Sequence, residues 1–285
     1  MKDQAQMLRE MAQAHRAAAR GARVIAVTSG KGGVGKTNLA VNLGVALVQQ
    51  GKRVALLDAD LGLANVDLVL GIDPQYTLSD VVYGERALAE VIVQGPAGLQ
   101  VVAGGSGVYE LANLSQWRLE RFLRALETLD ASLDVLLLDT GAGIGRQVLS
   151  FALASRELVV VTTPEPPAMA DAYSIIKLVA VRCPEARLWV VVNMVPSHRE
   201  GEAVFQRLAT VAQRFLGVRP EYLGSLPRDE AVVRAVQRQE PFVLAFPHAP
   251  ASRAVAAIAS RLLGLPKPDT GGVATMLQRI LRFIR

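Results

Sequence analysis

The residues best suited to chemistry form one glycine-rich loop near the start of the chain. The loop directly follows an apolar run and directly precedes a helical stretch. Glycines let backbone N–H groups converge on phosphate oxygens, and the helix N-terminus adds partial positive charge. In such a loop Lys36 reaches the β- and γ-phosphates and the Thr37 hydroxyl binds Mg²⁺. The pattern predicts a nucleotide site formed by Gly30, Lys31, Gly32, Gly33, Val34, Gly35, Lys36, Thr37 and Asn38.

Three aspartates stand at the ends of two further apolar runs. Asp58 and Asp60 follow the first run, and Asp139 follows the second. Ligands of parallel sheets bind at the carboxyl ends of the strands, so these carboxylates are expected beside the phosphate loop. Mg²⁺ is usually held through one or two carboxylates plus phosphates and water. For each aspartate taken singly, capping of the next helix remains an alternative.

A second lysine gives the loop a resemblance to a known family. Lys31 directly follows the first glycine, as in the deviant Walker A loop of the MinD/ParA family of P-loop ATPases. The resemblance implies an ATP-dependent homodimer in which Lys31 reaches the phosphates bound by the other copy, as an arginine finger does. It implies that Asp139 is the Walker B acid, that Asp58 lies by the water shell of the metal, and that Asp60 orients the attacking water. The expected catalytic residues are Lys31, Lys36 and Asp60, and the expected Mg²⁺ residues are Thr37, Asp58 and Asp139.

The resemblance extends to segments that would face the adenine base and the other copy. Asn193 ends an apolar run, and residues 224–229 are similar to the family loop that covers the base. Adenine contacts are therefore implied for Asn193, Pro227, Arg228 and Asp229. Asn193 also has a simpler interpretation as a turn residue. Residues 162–167 together with Asp171 resemble the dimer-facing segment of the family.

These residues need a scaffold that brings strand ends together. From residue 24, short β-branched apolar runs alternate with longer amphipathic stretches, which indicates a parallel sheet covered on both faces. We therefore predict an α/β fold with a doubly wound, mostly parallel central sheet and helices on both faces. Strands are predicted at 24–29, 54–57, 99–103, 135–138, 158–162, 188–192 and 223–226, and helices at 37–50, 115–129, 146–154, 169–181, 202–215, 230–238 and 252–263. The predicted organisation is an N-terminal arm (1–23), an ATPase domain (24–265), a linker (266–272) and a C-terminal amphipathic helix (273–285).

Composition excludes several other classes of protein. A length of 285 residues fits one α/β domain with short appendages. The single cysteine, Cys183, excludes an intramolecular disulfide, a thiolate zinc site and a cysteine-ligated cluster within one chain. This removes the iron-protein and cluster-carrier members of the family. No apolar run reaches the roughly 18–20 residues of a spanning helix, so we expect a cytoplasmic protein. A peripheral position on the inner face of the cell membrane is implied by the family resemblance.

The net charge of +5 is concentrated at the two ends of the chain. Residues 1–23 hold five basic and two acidic side chains, and residues 273–285 hold three arginines and no acid. The stretch between them is nearly neutral. A neutral body disfavours nucleic acid as a partner and assigns charged partners to the two tails.

The arm carries a second resemblance. Residues 3–9 read Asp-Gln-Ala-Gln-Met-Leu-Arg, similar to a motif of the FlhG branch, the MinD-like ATPases of flagellar placement and number. The resemblance implies that the arm stimulates FlhF, a GTPase of the signal-recognition-particle type, with the glutamine as the key group. Flagellar switch (C-ring) proteins are further candidate partners, and a ParA-type DNA-segregation or MinD-type cell-division-site ATPase is the alternative function. The arm residues in question are Asp3, Gln4, Ala5, Leu8 and Arg9, and a frayed helix without a partner is their alternative interpretation.

The last residues of the chain form one helical stripe. Their apolar side chains recur at i, i+3, i+4, i+7, i+8 and i+11, and Arg279, Arg282 and Arg285 lie off that stripe. The segment resembles the membrane-targeting helix of MinD, which implies contact with an anionic bilayer surface. A helix docked on its own domain is the alternative, and both states are compatible if the helix docks in the monomer and leaves in the ATP dimer. The predicted membrane residues are Val273, Met276, Leu277, Ile280, Leu281, Phe283 and Ile284.

Overall fold

The structure is a computed structural model that describes residues 21–60, 65–104, 130–266 and 271–284. The motif at residues 3–9 and the predicted helix at 115–129 lie outside the described residues. No helix within the described ranges combines the length and the apolarity needed to cross a bilayer.

One central sheet organises the fold. Its strand order is β3-β4-β2-β5-β1-β6-β7-β8, and neighbouring strands are parallel except β3 and β4. The strands are β1 (Arg23–Ser29), β2 (Val54–Ala59), β3 (Ile92–Gln94), β4 (Gln100–Val102), β5 (Val135–Ala142), β6 (Glu157–Thr162), β7 (Arg187–Val195) and β8 (Glu221–Pro227). The predicted doubly wound, mostly parallel sheet is confirmed. The antiparallel edge strand β3 was not predicted, because its two half-buried residues and one exposed residue form no long apolar run.

Helices cover both faces of this sheet. Residues of one strand alternate between the faces: Ile25 and Val27 join one hydrophobic cluster, while Val24 and Ala26 join another. The face of Ile25 is covered mainly by α1 and α10, and the opposite face by α5, α6, α7 and α11. The helices are α1 (Lys36–Gln49), α2 (Val66–Leu70), α3 (Leu78–Tyr83), α4 (Leu88–Val91), α5 (Arg146–Ser155), α6 (Pro166–Arg182), α7 (His198–Leu216), α8 (Glu230–Gln237), α9 (Phe242–Ala245), α10 (Pro250–Gly264) and α11 (Gly272–Ile284).

Two predicted helices begin at least three residues earlier than the apolar pattern indicated. Helix α6 starts at Pro166, since proline suits the first turn, where its missing N–H costs no hydrogen bond. Helix α7 starts at His198, after Ser197, whose side chain accepts the Glu200 N–H at 3.3 Å. In both cases a polar or proline-rich first turn extends the helix beyond its apolar face.

The first strand includes a residue that the sequence assigned to the arm. Arg23 begins β1 and is buried, with its Nη2 2.8 Å from Glu157 Oε2. Its Nη1 donates to the Leu262 carbonyl at 2.7 Å, and its guanidinium lies 5.3 Å from the ring centroid of Trp189. Arg23 is therefore a structural residue at the amino ends of the strands rather than a charge available to a partner of the arm.

Candidate nucleotide site

The glycine-rich loop leaves the carboxyl end of β1 and leads directly into α1. Gly35 precedes the helix with a φ of 83°, a left-handed conformation that favours glycine. A Cβ atom at Gly35 would overlap the side-chain amide of Asn193. Gly30 has a different reason to be glycine, because a Cβ there would overlap the backbone of Asp171 in α6. The loop is thus fitted between the end of β7 and the predicted dimer-facing segment.

The two lysines of the loop occupy opposite environments. Lys36 is buried, and its Nζ lies 2.7 Å from Oδ1 of the buried Asp139. Lys31 is 45% exposed, and its Nζ lies 3.7 Å from Oε2 of Glu165, itself 65% exposed. Lys36 therefore points into the site of its own chain, while Lys31 stands at the surface beside α6.

Asp139 occupies the position expected of the Walker B acid, beside the first turn of α1. Burial raises the pKa of its carboxyl, and the Lys36 ammonium opposes that shift by charge and hydrogen bonding. The Lys36 Nζ is also 3.5 Å from Oγ1 of Thr37. A bound phosphate would compete with Asp139 for the ammonium, which would leave the carboxylate beside the Thr37 hydroxyl.

Asp58 lies next to Asp139 in the sheet, since the two residues pair in register between β2 and β5. Its carboxylate accepts N–H groups from Asp60 at 3.0 Å, Asn65 at 3.1 Å and Val66 at 3.2 Å. Burial raises its pKa to about 6, with a further upward contribution from the charge of Asp139, although these N–H groups oppose the shift. Asp58 therefore fixes the chain on both sides of residues 61–64, which are not described.

Asp60 is the third carboxylate at this edge of the sheet. It is half-buried, and a Cβ built on Gly141 would lie 3.4 Å from its Oδ1. Its charge contributes to the raised pKa of Asp139. In the part of the chain that the structure describes, no three His, Cys, Asp or Glu side chains are grouped closely enough to hold a metal by themselves. Mg²⁺ that shares its coordination with nucleotide phosphates does not need such a group.

The residues expected at the adenine base lie at the same edge, but two of them have structural contacts. The Asn193 side chain donates to the Val34 carbonyl at 2.8 Å and accepts the Met194 N–H at 2.9 Å. The Asp229 carboxylate accepts N–H groups from the first turns of α8 and α10, at 2.9 and 3.1 Å. Asp229 thus caps two helices. The exposed Arg228 and the adjoining Pro227 lie at the end of β8, where the Arg228 N–H donates to the Val195 carbonyl at 3.0 Å.

The predicted membrane helix is docked on the domain. The stripe residues Val273, Met276, Leu277 and Ile280 are 0–2% exposed and pack with α5 and β1. Phe283 is half-buried and packs against the hydrophobic cluster that includes residues of α5, α6 and α7. The docked alternative is therefore what the structure shows, and the side chains of Leu281 and Ile284 are outside the described set.

Sequence reasoning missed the groups that fix the end of this helix. Arg279 was placed off the stripe, yet its Nη1 donates to the Ala154 carbonyl at 3.1 Å. Arg146 donates to the Phe283 carbonyl at 3.3 Å, and the Arg182 guanidinium lies 5.6 Å from the Phe283 ring centroid. Nothing in the local spacing of Arg146 or Arg182 distinguishes them from solvated helix arginines.

Comparison with known proteins agrees with this geometry. The family model described as "ParA: NUBPL iron-transfer P-loop NTPase" matches residues 21–263, a range that contains the whole sheet and the phosphate loop. The chain belongs to the MinD/ParA family of P-loop ATPases. The words "iron-transfer" describe the family model, and this chain has one cysteine, Cys183, which is buried.

Individual members of the MinD/ParA family cover most of the chain. It is 45% identical to the antiactivator FleN of Pseudomonas aeruginosa, over 86% of this chain and 88% of that one. It is 35% identical to the flagellum site-determining protein YlxH of Helicobacter pylori, over 92% and 90% of the two chains. The structure of the septum site-determining protein MinD from Pyrococcus horikoshii, complexed with Mg-ADP, matches with a TM-score of 0.67 and 25% identity, over 85% and 96%. The matches to FleN and YlxH confirm the resemblance to the FlhG branch, which includes both proteins.

Proposed function

We propose that this MinD/ParA-family member is a Mg²⁺-dependent ATP hydrolase that dimerises around ATP and regulates flagellar placement or number from the inner membrane surface. The observation that carries the proposal is the pair of loop lysines in opposite environments, within a chain 45% identical to FleN. Identity to FleN and YlxH favours flagellar regulation over the DNA-segregation and cell-division alternatives.

The buried residues are suited to holding a Mg²⁺ nucleotide. Lys36 and the backbone of the loop would bind the phosphates, and Thr37 and Asp139 would hold the metal. When bound, Mg²⁺ supplies positive charge that offsets the charge developing on the phosphates. Asp58 has three N–H donors on its carboxylate, so its role is to position the segment that carries Asp60 rather than to bind the metal directly.

Hydrolysis requires a water held in line with the terminal phosphate. The Asp60 carboxylate lies at this edge of the sheet, close to Gly141, which is two residues after Asp139 in the sequence. That place suits a group that accepts a hydrogen bond from the attacking water. We therefore assign the orientation of water to Asp60.

Lys31 would act across the dimer. Its ammonium is at the surface and lies 3.7 Å from Oε2 of Glu165, whose side chain is also exposed. An exposed ion pair of this kind contributes little stabilisation in water. The ammonium is therefore able to leave Glu165 and bind the phosphates held by another copy.

Two variants test these assignments together. Lys31→Ala is expected to abolish the ATP-dependent dimer while monomeric ATP binding is largely kept. Asp60→Ala is expected to bind ATP, dimerise and fail to hydrolyse, which traps the dimer. Light scattering in saturating ATP and Mg²⁺ measures the assembly, and phosphate release measures the turnover. A monomeric Asp60→Ala protein under these conditions would show that the roles are assigned wrongly.

Membrane association and the arm complete the proposal. The stripe of α11 would leave its site and enter an anionic bilayer when ATP dimerises the chain, and two helices on one dimer would raise the affinity by about 10²–10⁴ if both reach the surface. Sedimentation with anionic vesicles should therefore depend on ATP and disappear when residues 273–285 are deleted.

The arm is proposed to stimulate the FlhF GTPase through Gln4. Glutamine orients water at phosphoryl-transfer sites, and a short arm with few apolar residues needs a partner surface to order it. A peptide of residues 1–23 should stimulate GTP hydrolysis by FlhF, and Gln4→Ala should remove the effect. Equal stimulation by both peptides would contradict this mechanism.

A further inference from the structure

A cavity lies where the end of α11 meets α5 and α6. Its volume is about 410 Å³, and it is lined by Ile144, Arg146, Leu149, Arg182 and Phe283. The lining therefore combines two guanidinium groups with three apolar side chains. Phe283 belongs to the docked helix, whereas the other four residues belong to the domain.

The two arginines of this cavity also hold the end of α11. Arg146 donates to the Phe283 carbonyl at 3.3 Å, which is long for a bond from a charged donor. Arg182 contacts the Phe283 ring with its guanidinium 5.6 Å from the centroid, near the outer limit of a cation–π contact. Both arginines are exposed. A phosphate group offers guanidinium a shorter, bidentate contact than either a carbonyl or a ring, so it would displace both.

Further cations lie on or directly after α5 and α11, two of the helices that meet at the cavity. Arg279 on α11 donates to the Ala154 carbonyl, Arg156 after α5 lies 3.0 Å from Glu185, and Arg282 is exposed. Burial, and then the charge of Arg156, hold the pKa of Arg279 below its usual range. Like charges gathered from three elements attract an anionic surface, with each basic residue adding to the affinity.

Exposed apolar side chains close in sequence to the cavity arginines indicate which anion fits. Ile144 is 54% exposed and Val181 is 71% exposed, and each stands within two residues of a cavity arginine. A free phosphate or a duplex DNA backbone has nothing to cover these side chains. A phospholipid offers both an anionic headgroup for the arginines and an acyl region for the apolar residues.

We propose that this cavity binds the headgroup of an anionic phospholipid, and that the headgroup frees α11 by taking over Arg146 and Arg182. The inference rests on the membrane association proposed above and names the part of the domain that makes the first lipid contact. The domain itself then recognises the bilayer while the helix is still docked. Lipid, in addition to ATP, becomes a signal for release of the helix.

The first test follows the helix in the full-length chain without vesicles. Dihexanoyl phosphatidylglycerol, below its micelle concentration, should raise amide hydrogen exchange across residues 272–284 by at least about tenfold. Dihexanoyl phosphatidylcholine and inorganic phosphate at the same concentration should leave it unchanged. No rise with phosphatidylglycerol overturns the proposal, and an equal rise with inorganic phosphate overturns the choice of a lipid.

The second test measures binding to vesicles of phosphatidylglycerol and phosphatidylcholine. Arg182→Glu should lower vesicle affinity by about tenfold or more, while Arg182→Lys, which keeps the charge, should retain most of it. Arg253→Glu is the matched control, because Arg253 is exposed on α10 on the opposite face of the sheet. If Arg182 served only to hold the helix, Arg182→Glu would release it and increase binding, so unchanged or increased binding contradicts the proposal.

The two tests separate this inference from the proposed function. A wild-type chain that binds no anionic vesicle in either nucleotide state would refute the membrane association itself. The exchange experiment with soluble lipid would still decide whether the cavity binds a headgroup. Vesicle binding that depends on residues 273–285 but not on Arg182 would keep the proposed function and reject the cavity.

Discussion

The nucleotide edge and the end of α11 hold their charged groups in opposite ways. At the nucleotide edge Lys36 and Asp139 are buried against each other, and Asp58 is bonded to three backbone N–H groups. At the end of α11, Arg146 and Arg182 are exposed and contact a carbonyl and a ring. Buried charges with complete partners stay in one arrangement, whereas exposed charges with weak partners exchange them readily. The charged contacts of the nucleotide edge are therefore already formed in the monomer. The contacts at the end of α11 are the ones that we expect to exchange.

The largest expected effect is at the preformed edge. Lys36→Ala should lower ATP affinity by at least about 100-fold, because it removes the cation that reaches the phosphates and leaves Asp139 buried without it. Lys31→Ala is the control, since that lysine is exposed and should leave monomeric ATP affinity largely unchanged. Calorimetric titration of both variants measures the difference. Equal loss in the two variants would break the distinction between the two lysines.

A substitution that weakens docking of α11 should leave ATP binding at the nucleotide edge unchanged. Ile280→Ala removes a fully buried side chain of the stripe and should weaken docking by about 2–4 kcal/mol, which exchange protection across residues 272–284 reports. Gln278→Ala, at an exposed position of the same helix, should leave the protection unchanged. ATP affinity of the monomer should stay within about twofold of wild type. A parallel loss of ATP affinity would show that the two regions are coupled in the monomer.

The carboxylates make the apo protein sensitive to pH. The pKa of Asp58 is raised to about 6 in the fold, so the folded state binds the proton more tightly than the unfolded state. Its contribution to stability is present at low pH and is lost as pH rises through about 6. The free energy of unfolding should therefore rise by up to about 3 kcal/mol from this group as pH falls from 7.5 towards 4. Urea denaturation of wild type and Asp58→Ala should show a smaller rise in the variant, and identical pH slopes would contradict the assignment.

The smallest predicted effect concerns Asn193. Its side chain donates to the Val34 carbonyl in the phosphate loop. Asn193→Ala should therefore lower the affinity for tripolyphosphate and the affinity for ATP by the same factor, about threefold to tenfold. Arg228→Ala, in the loop expected over the base, should leave tripolyphosphate binding unchanged. Competition against a fluorescent nucleotide measures both ligands. If Asn193 contacts only the adenine base, the variant will lose affinity for ATP and keep its affinity for tripolyphosphate.

The sequence alone determined the fold class and the position of the phosphate loop. Both follow from local order: apolar runs of strand length alternate with amphipathic stretches, and glycines, lysines and a threonine stand at fixed short spacings. It also placed Asp58 and Asp139 at strand ends, and parallel strands bring their carboxyl ends to one edge. For this reason the expected nucleotide residues lie together in the structure.

The tertiary structure decided what each of these groups contacts. It made Arg23 a buried partner of Glu157, Asp229 a cap for two helices, and Asp58 an anchor for the segment around Asp60. Its strongest decision concerns the apolar stripe of α11, which is equally suited to a bilayer and to a groove of the domain. The hydrophobic effect favours burial of the stripe in a bilayer and burial in the groove alike. Only the shape of the surface beside α5 and β1 selects the docked state. The contacts that fix it join residues far apart in the chain, such as Arg146 and Phe283, so no local pattern specifies them.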